Sequence, residues 1–292
     1  MWVLLAIVSA LCLGFYDVTK KLSLRANNVL AVLFLNTLFC SLLMSPVIIS
    51  GIAVGDWGLG GTWQGHAQII VKAVIVLSSW LMGYFSIKQL PLTIAGPINA
   101  SRPVMVLAGA LLIFGERLNL TQWAGVLLGF FSLFFISRIG RREGFAKGKA
   151  KWLWLSIGAA FMGAVSALYD KYLMGSFKPL EVQAWYTLYQ FIIMGATIVI
   201  LARSGHGGGE KLKWRFSILL ISVFLTIADL AYFYALSQPE AMVAVVSMIR
   251  RGSVVVSFFY GVIALHEKNV RRKVVDLCIL LAGLVLLVVG SM

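Results

Sequence analysis

Apolar stretches of about 20 residues, the length that crosses a bilayer's hydrocarbon as a helix, follow one another along the chain with short polar breaks between them. Ten such windows can be drawn, at 2–20, 28–49, 68–88, 92–114, 120–137, 152–173, 180–202, 215–236, 240–265 and 272–290. The pattern predicts an all-α membrane protein of ten transmembrane helices, with its softest boundary between the third and fourth. The first window is expected to be an uncleaved helix and not a secretory signal, because Lys20, Lys21 and Arg25 follow the apolar run instead of preceding it.

Composition agrees with lipid as the solvent. Of 292 residues 60% are apolar and 12% charged, whereas a soluble domain carries about 25% charged residues. Mean hydropathy is +0.93, and the windows leave no room for a separate soluble domain. A net charge of +14 on a soluble protein would suggest a nucleic-acid partner. Here the basic residues cluster between windows, where they orient a chain against anionic lipid, so no nucleic-acid partner is expected. The expected partners are the bilayer and a small-molecule solute, with the chain a monomer or homodimer. Cys12, Cys40 and Cys278 fall inside windows and make neither a disulfide framework nor a zinc spacing. His66, His206 and His266 are placed singly in loops, so neither a metal nor a cofactor is expected. No G-x-S-x-G, H-E-x-x-H or P-loop is present, which weighs against an enzyme.

The basic stretch from Arg138 to Lys151 divides the windows five and five. The domain expectation is a five-helix repeat over 1–138, a basic linker over 139–151 and a second repeat over 152–292. The halves echo each other. The first helix ends on Tyr16-Asp17 with Lys20 following; the sixth ends on Tyr169-Asp170-Lys171. Setting Gln89 on Gln238 places Arg102 on Arg251 without a gap, and a two-residue insertion then places Glu116 on Glu267. Because each repeat holds an odd number of spans, the second must run through the membrane inverted, an arrangement typical of carriers with a midplane site between the repeats.

Each half resembles the EamA-type repeat of the drug/metabolite transporter superfamily. The similarity rests on the small and polar run before Arg102-Pro103, the ending Phe114 to Arg117, and Gly125 and Gly129 in the fifth helix. In the second half it rests on Arg250-Arg251-Gly252-Ser253, His266-Glu267-Lys268, Gly283 and Gly290. Glycine at 252, where the first half has Pro103, and two adjacent arginines depart from the usual pattern. The resemblance implies a ten-helix carrier of metabolites, with Glu116 and Glu267 in structural roles, bonding the start of a neighbouring helix.

Loop charge and the resemblance point in opposite directions on orientation. Breaks after helices 1, 3, 5, 7 and 9 hold 18 Lys and Arg against 4 at the other breaks and ends, a tally that takes Lys72, near the start of the third window, with the break before it. That bias places both termini outside the cytoplasm, whereas the resemblance implies cytoplasmic termini.

Charges inside a span cost about 2.5–3.5 kcal/mol each on insertion scales and usually face a cavity or a partner. Arg102 falls about halfway along the fourth helix, Arg250 and Arg251 about halfway along the ninth, and Asp229 in the eighth, as the lone intramembrane acid. Arginine offers a planar fork of donors suited to carboxylate or phosphate, and three against one acid favour a solute with an anionic group. Tyr186, Tyr189 and Gln190 on the seventh helix, Trp80 and Tyr84 on the third, and Asn99 on the fourth complete the candidate substrate site. Asp17 and Asp170 are expected to be surface or gating pairs. The expected function is a secondary transporter moving a small polar, anionic or zwitterionic metabolite by alternating access, in a cell inner membrane. The alternative is a flippase for a lipid-linked phosphate.

Overall fold

A computed structural model of the chain describes residues 1–24, 27–53, 55, 58–89, 102–140, 150–203, 213–253, 255–256 and 270–290. Among them lie ten α-helices and no strand: α1 Trp2–Leu24, α2 Val29–Ala53, α3 Trp63–Gln89, α4 Arg102–Ile113, α5 Leu120–Gly140, α6 Ala150–Met174, α7 Pro179–Arg203, α8 Phe216–Leu236, α9 Val243–Arg250 and α10 Val270–Val289. Five spans, within α1, α2, α3, α7 and α8, are long and apolar enough to cross a membrane. The third helix starts at Trp63, ahead of the expected 68, so His66 sits in its first turn and not in a loop. The first half of the window at 92–114 lies outside the described residues.

The ninth window is corrected more deeply. It is not one continuous helix, because α9 ends at Arg250 and residues 251–252 form a turn. The backbone there tightens to three-residue spacing: Arg251 N–H donates to Met248 C=O, Gly252 to Ile249 and Val255 to Gly252. The two arginines thus stand at the carboxyl end of a short helix, where the helix dipole favours a cation.

Polarity is sorted inside from outside. Large apolar side chains such as Leu4, Leu42, Leu112, Phe161 and Ile200 are exposed, as a lipid-facing surface requires. Ser9, Asn36, Gln183, Gln190 and Ser222 are buried. Four helix pairs carry most of the packing: α1 with α8, α3 with α6, α2 with α7, and α5 with α10. A serine stitches each of the first two, Ser9 Oγ donating to Ala228 C=O and Ser79 Oγ to Ala159 C=O. The α5–α10 crossing is closest at Gly125 and Gly283, where a Cβ on Gly125 would lie 2.7 Å from the Gly283 oxygen. Small residues let membrane helices approach this closely, which accounts for two of the glycines in the family pattern. Between α2 and α3 the chain folds back through Gly58–Gly61, all four residues with positive φ, and Leu59 is plugged into the protein. The Glu181 carboxylate, in the first turn of α7, accepts the Leu59 N–H at 2.9 Å and holds that plug.

Candidate functional site

A cavity of about 400 Å³ lies where α1, α3, α6, α8 and α9 meet. Its polar lining is set out as three ion pairs at increasing depth. Lys20 Nζ meets Asp17 at 2.7 Å, with side chains 28% and 40% exposed. Arg250 Nη2 meets Asp229 Oδ1 at 2.9 Å, at 18% and 16% exposed. Lys72 meets Asp170 at 2% and 7% exposed. The gradient fixes the mouth at the end of the bundle where α1 finishes and the floor where α6 finishes.

Each pair is held by its surroundings. The Lys72 ammonium lies between two rings, 4.4 Å from the centroid of Tyr186 and 4.7 Å from that of Phe233, so aromatic faces supply part of the solvation that burial removes. The Arg250 guanidinium lies 4.1 Å from the Tyr232 ring centroid. Arg102 and Arg251 have no acidic partner among the described residues. Arg102 Nη2 donates to Gly163 C=O at 2.6 Å. Glycine leaves room for that contact, since a Cβ at 163 would lie 2.5 Å from Arg102 Cζ and displace the guanidinium. For Arg251, and for Arg250 too, the Nε is buried without a hydrogen-bond partner among the described residues.

Of the residues singled out from the sequence, Arg102, Arg250, Arg251, Asp229, Tyr186 and Trp80 line this one cavity. Tyr189 and Gln190 do not. The Tyr189 hydroxyl lies 2.9 Å from His66 Nδ1, and the Tyr189 ring stacks on Trp185. Gln190 is buried elsewhere on α7, its Nε2 without a partner among the described residues. The Tyr84 side chain and Asn99 lie outside the described residues.

Sequence reasoning missed the floor. The loop tally takes Lys72 as a loop charge, yet it is among the most buried polar groups of the described residues. The expectation of a surface or gating pair fails for Asp170, which is buried against Lys72, and Asp229 is therefore not the lone interior acid. Lys171 turns away and donates to the carbonyls of Ala241, at 2.6 Å, and Leu236, at 3.2 Å. The signal was available: Lys72 stands five residues into an apolar window. Glu116 behaves as the resemblance implied, its carboxylate accepting the N–H groups of Val243 and Ala244 at the start of α9. Its counterpart Glu267 lies outside the described residues.

A family model described as EamA-like transporter matches residues 1–138 and 150–289. The chain belongs to the EamA-like transporter family. It is a multi-pass membrane protein, and transport is its role. It is 23% identical to an uncharacterized transporter of Archaeoglobus fulgidus over 98% of this chain and 97% of that one. A solved crystal structure, 15% identical, superposes with a TM-score of 0.76 over 98% of this chain and 95% of that one, a likeness of fold. In this EamA-like chain the aligned arginines, Arg102 and Arg251, open onto the same cavity.

Proposed function

We propose that this protein is a secondary carrier with ten transmembrane helices in two inverted five-helix halves, 1–138 and 152–292, that moves a small solute with an anionic group by alternating access across a cell inner membrane. The observation that carries the reading is the cavity: its lining runs from the part-exposed Lys20–Asp17 pair to the buried Lys72–Asp170 pair, and it holds two arginines with no acid of the described chain to answer them. Helix packing supports the inverted halves. Exchanging each helix for the one five places away turns the α1–α8 pair into α6–α3 and the α2–α8 contact into α7–α3, and leaves α2–α7, α4–α9 and α5–α10 as they are; all of these contacts exist. A two-fold relation between the halves has that consequence.

Loop charge further orients the carrier with its mouth to the cytoplasm, since the mouth shares its end of the bundle with the breaks rich in Lys and Arg. Moving Lys72 out of the loop tally leaves 18 against 3 and strengthens the bias. Counterflow in proteoliposomes tests the transport reading, with acidic, zwitterionic and cationic solutes compared; acidic solutes are expected to exchange, and exchange of cations alone would reject it. Cysteines introduced at Ser291 and Gly144, probed with an impermeant thiol reagent on intact cells, test the orientation: labelling is expected at Ser291, and labelling at Gly144 alone would reverse it.

A further inference from the structure

The charges of the cavity go beyond a preference for anions, and the following rests on the carrier reading of that site. Among the described residues, five basic side chains and three acidic ones line it. Lys20, Arg250 and Lys72 each take one acid. Arg102 and Arg251 remain. The carboxyl-terminal dipole of α9, equivalent to about half a negative charge, offsets a fraction of the excess and leaves more than one positive charge for a solute.

A zwitterion would need an ammonium site as well, that is, a carboxylate flanked by rings. The cavity has such a cage, made by Asp170, Tyr186 and Phe233, and the chain's own Lys72 ammonium fills it. Asp229 is engaged by Arg250 and Asp17 by Lys20. What the lining still offers is the guanidinium groups of Arg102 and Arg251.

We infer that the ligand presents two negative charges, as a small dicarboxylate or a phosphate monoester, held between Arg102 and Arg251 and carrying no ammonium group. The volume of about 400 Å³ suits a small metabolite. Gly163 leaves room for one of the two forks, since a Cβ there would come 2.5 Å from Arg102 Cζ and push the guanidinium aside.

The test is thermal stability of the purified protein in detergent, titrated with succinate, glycerol phosphate, butyrate, alanine and putrescine, and with phosphatidic acid in mixed micelles. Succinate or glycerol phosphate is expected to raise Tm where butyrate, alanine and putrescine do so weakly or not at all. Stabilisation by phosphatidic acid alone places the same doubly charged chemistry on a lipid headgroup. Arg251→Met and Arg102→Met are each expected to weaken the apparent affinity for the dianion about 10- to 100-fold, the worth of a charged hydrogen-bond partner. Cys278→Ser, an exposed position on α10 outside the cavity lining, is expected to leave dianion affinity within a few fold. A Tm rise with alanine as large as with succinate, or dianion affinity unchanged in both arginine variants, overturns the inference. Counterflow of alanine would leave the carrier standing and the dianion site rejected; dianion binding without any counterflow would do the reverse.

Discussion

Asp17 and Asp170 each follow a tyrosine near the end of a helix, one in each half, and their surroundings are opposite. Asp17 pairs with Lys20 on its own helix, and both are part-exposed at the mouth. Asp170 pairs with Lys72 from the other half, and both are buried at the floor. The elements around them explain the difference. At the floor, Lys171 clamps the carbonyls of Leu236 and Ala241, Glu116 caps α9, Glu181 holds Leu59, and the Tyr169 hydroxyl donates to Gln68 C=O. At the mouth, the described cross-links tie α1 and the chain just after it to the start of α8 and the chain just before that, through Ser23 with Ser217 and Asn27 with Lys213. One dipeptide, placed twice, is thus held apart from water at one end and open to it at the other. A carrier that alternates needs its two ends to differ in this way in any one state, and a near-repeat of sequence makes the exchange of roles cheap.

The contrast is tested most severely by removing each cation. Lys72→Met strands a carboxylate in a buried site, which costs about 3–5 kcal/mol; a large fall in Tm or failure to accumulate as folded protein is expected. Adding Asp170→Asn to it is expected to recover most of the loss. Lys20→Met at the mouth is expected to cost no more than about 1 kcal/mol, since the pair is part-exposed and screened. Equal losses for the two lysine variants would erase the distinction between the ends.

A second comparison uses two glycines on the facing helices α3 and α6. A Cβ at Gly163 would strike the Arg102 guanidinium, whereas one at Gly83 would rest at an ordinary 3.7 Å from Ala159 Cβ. Gly163→Ala is therefore expected to displace the flexible end of Arg102, costing about 1 kcal/mol, the low end for overpacking, together with a loss of solute affinity. Gly83→Ala is expected to be neutral or stabilising by up to about 1 kcal/mol, since alanine favours helix. Unchanged transport and stability in Gly163→Ala would show that Arg102 does not need its bed on α6.

The helices were the most legible part of this chain, because in lipid each span must satisfy its own backbone and so declares itself by length and apolarity. The break after α9 was not legible. Arg250-Arg251-Gly252-Ser253 sits in a strongly apolar window, and hydropathy averages over a turn of two residues. The arginines were found because a guanidinium in an apolar run is conspicuous. Lys72 was lost for the opposite reason: it lies near a window's edge, where a lysine ordinarily reaches the interface, and only packing against Tyr186 and Phe233 turns it inward. Tyr189 and Gln190 lie on the same helix as Tyr186, but the cavity reaches only the first of the three.

The smallest expected effect concerns Glu116, which lies after α4 at the closed end. Burial raises its pKa above the ordinary 4.5, while the Val243 and Ala244 N–H groups and the Lys171 charge oppose that rise without cancelling it. A carboxyl group whose folded pKa is raised binds more protons folded than unfolded in the window just above pH 4.5, so its contribution to stability is present below that window and is lost as pH rises through the folded value. Glu116→Gln keeps an oxygen acceptor for α9 and removes the titration. The difference in Tm between wild type and Glu116→Gln, followed from about pH 4 to 8, is therefore expected to move against the wild type as pH rises and then to level off. Taking the difference cancels the carboxylates common to both proteins, Asp17 and Asp170 included. A difference that moved in favour of the wild type would mean that the two N–H groups at the start of α9 outweigh burial, and that the cap of the closed end is strongest when Glu116 is charged.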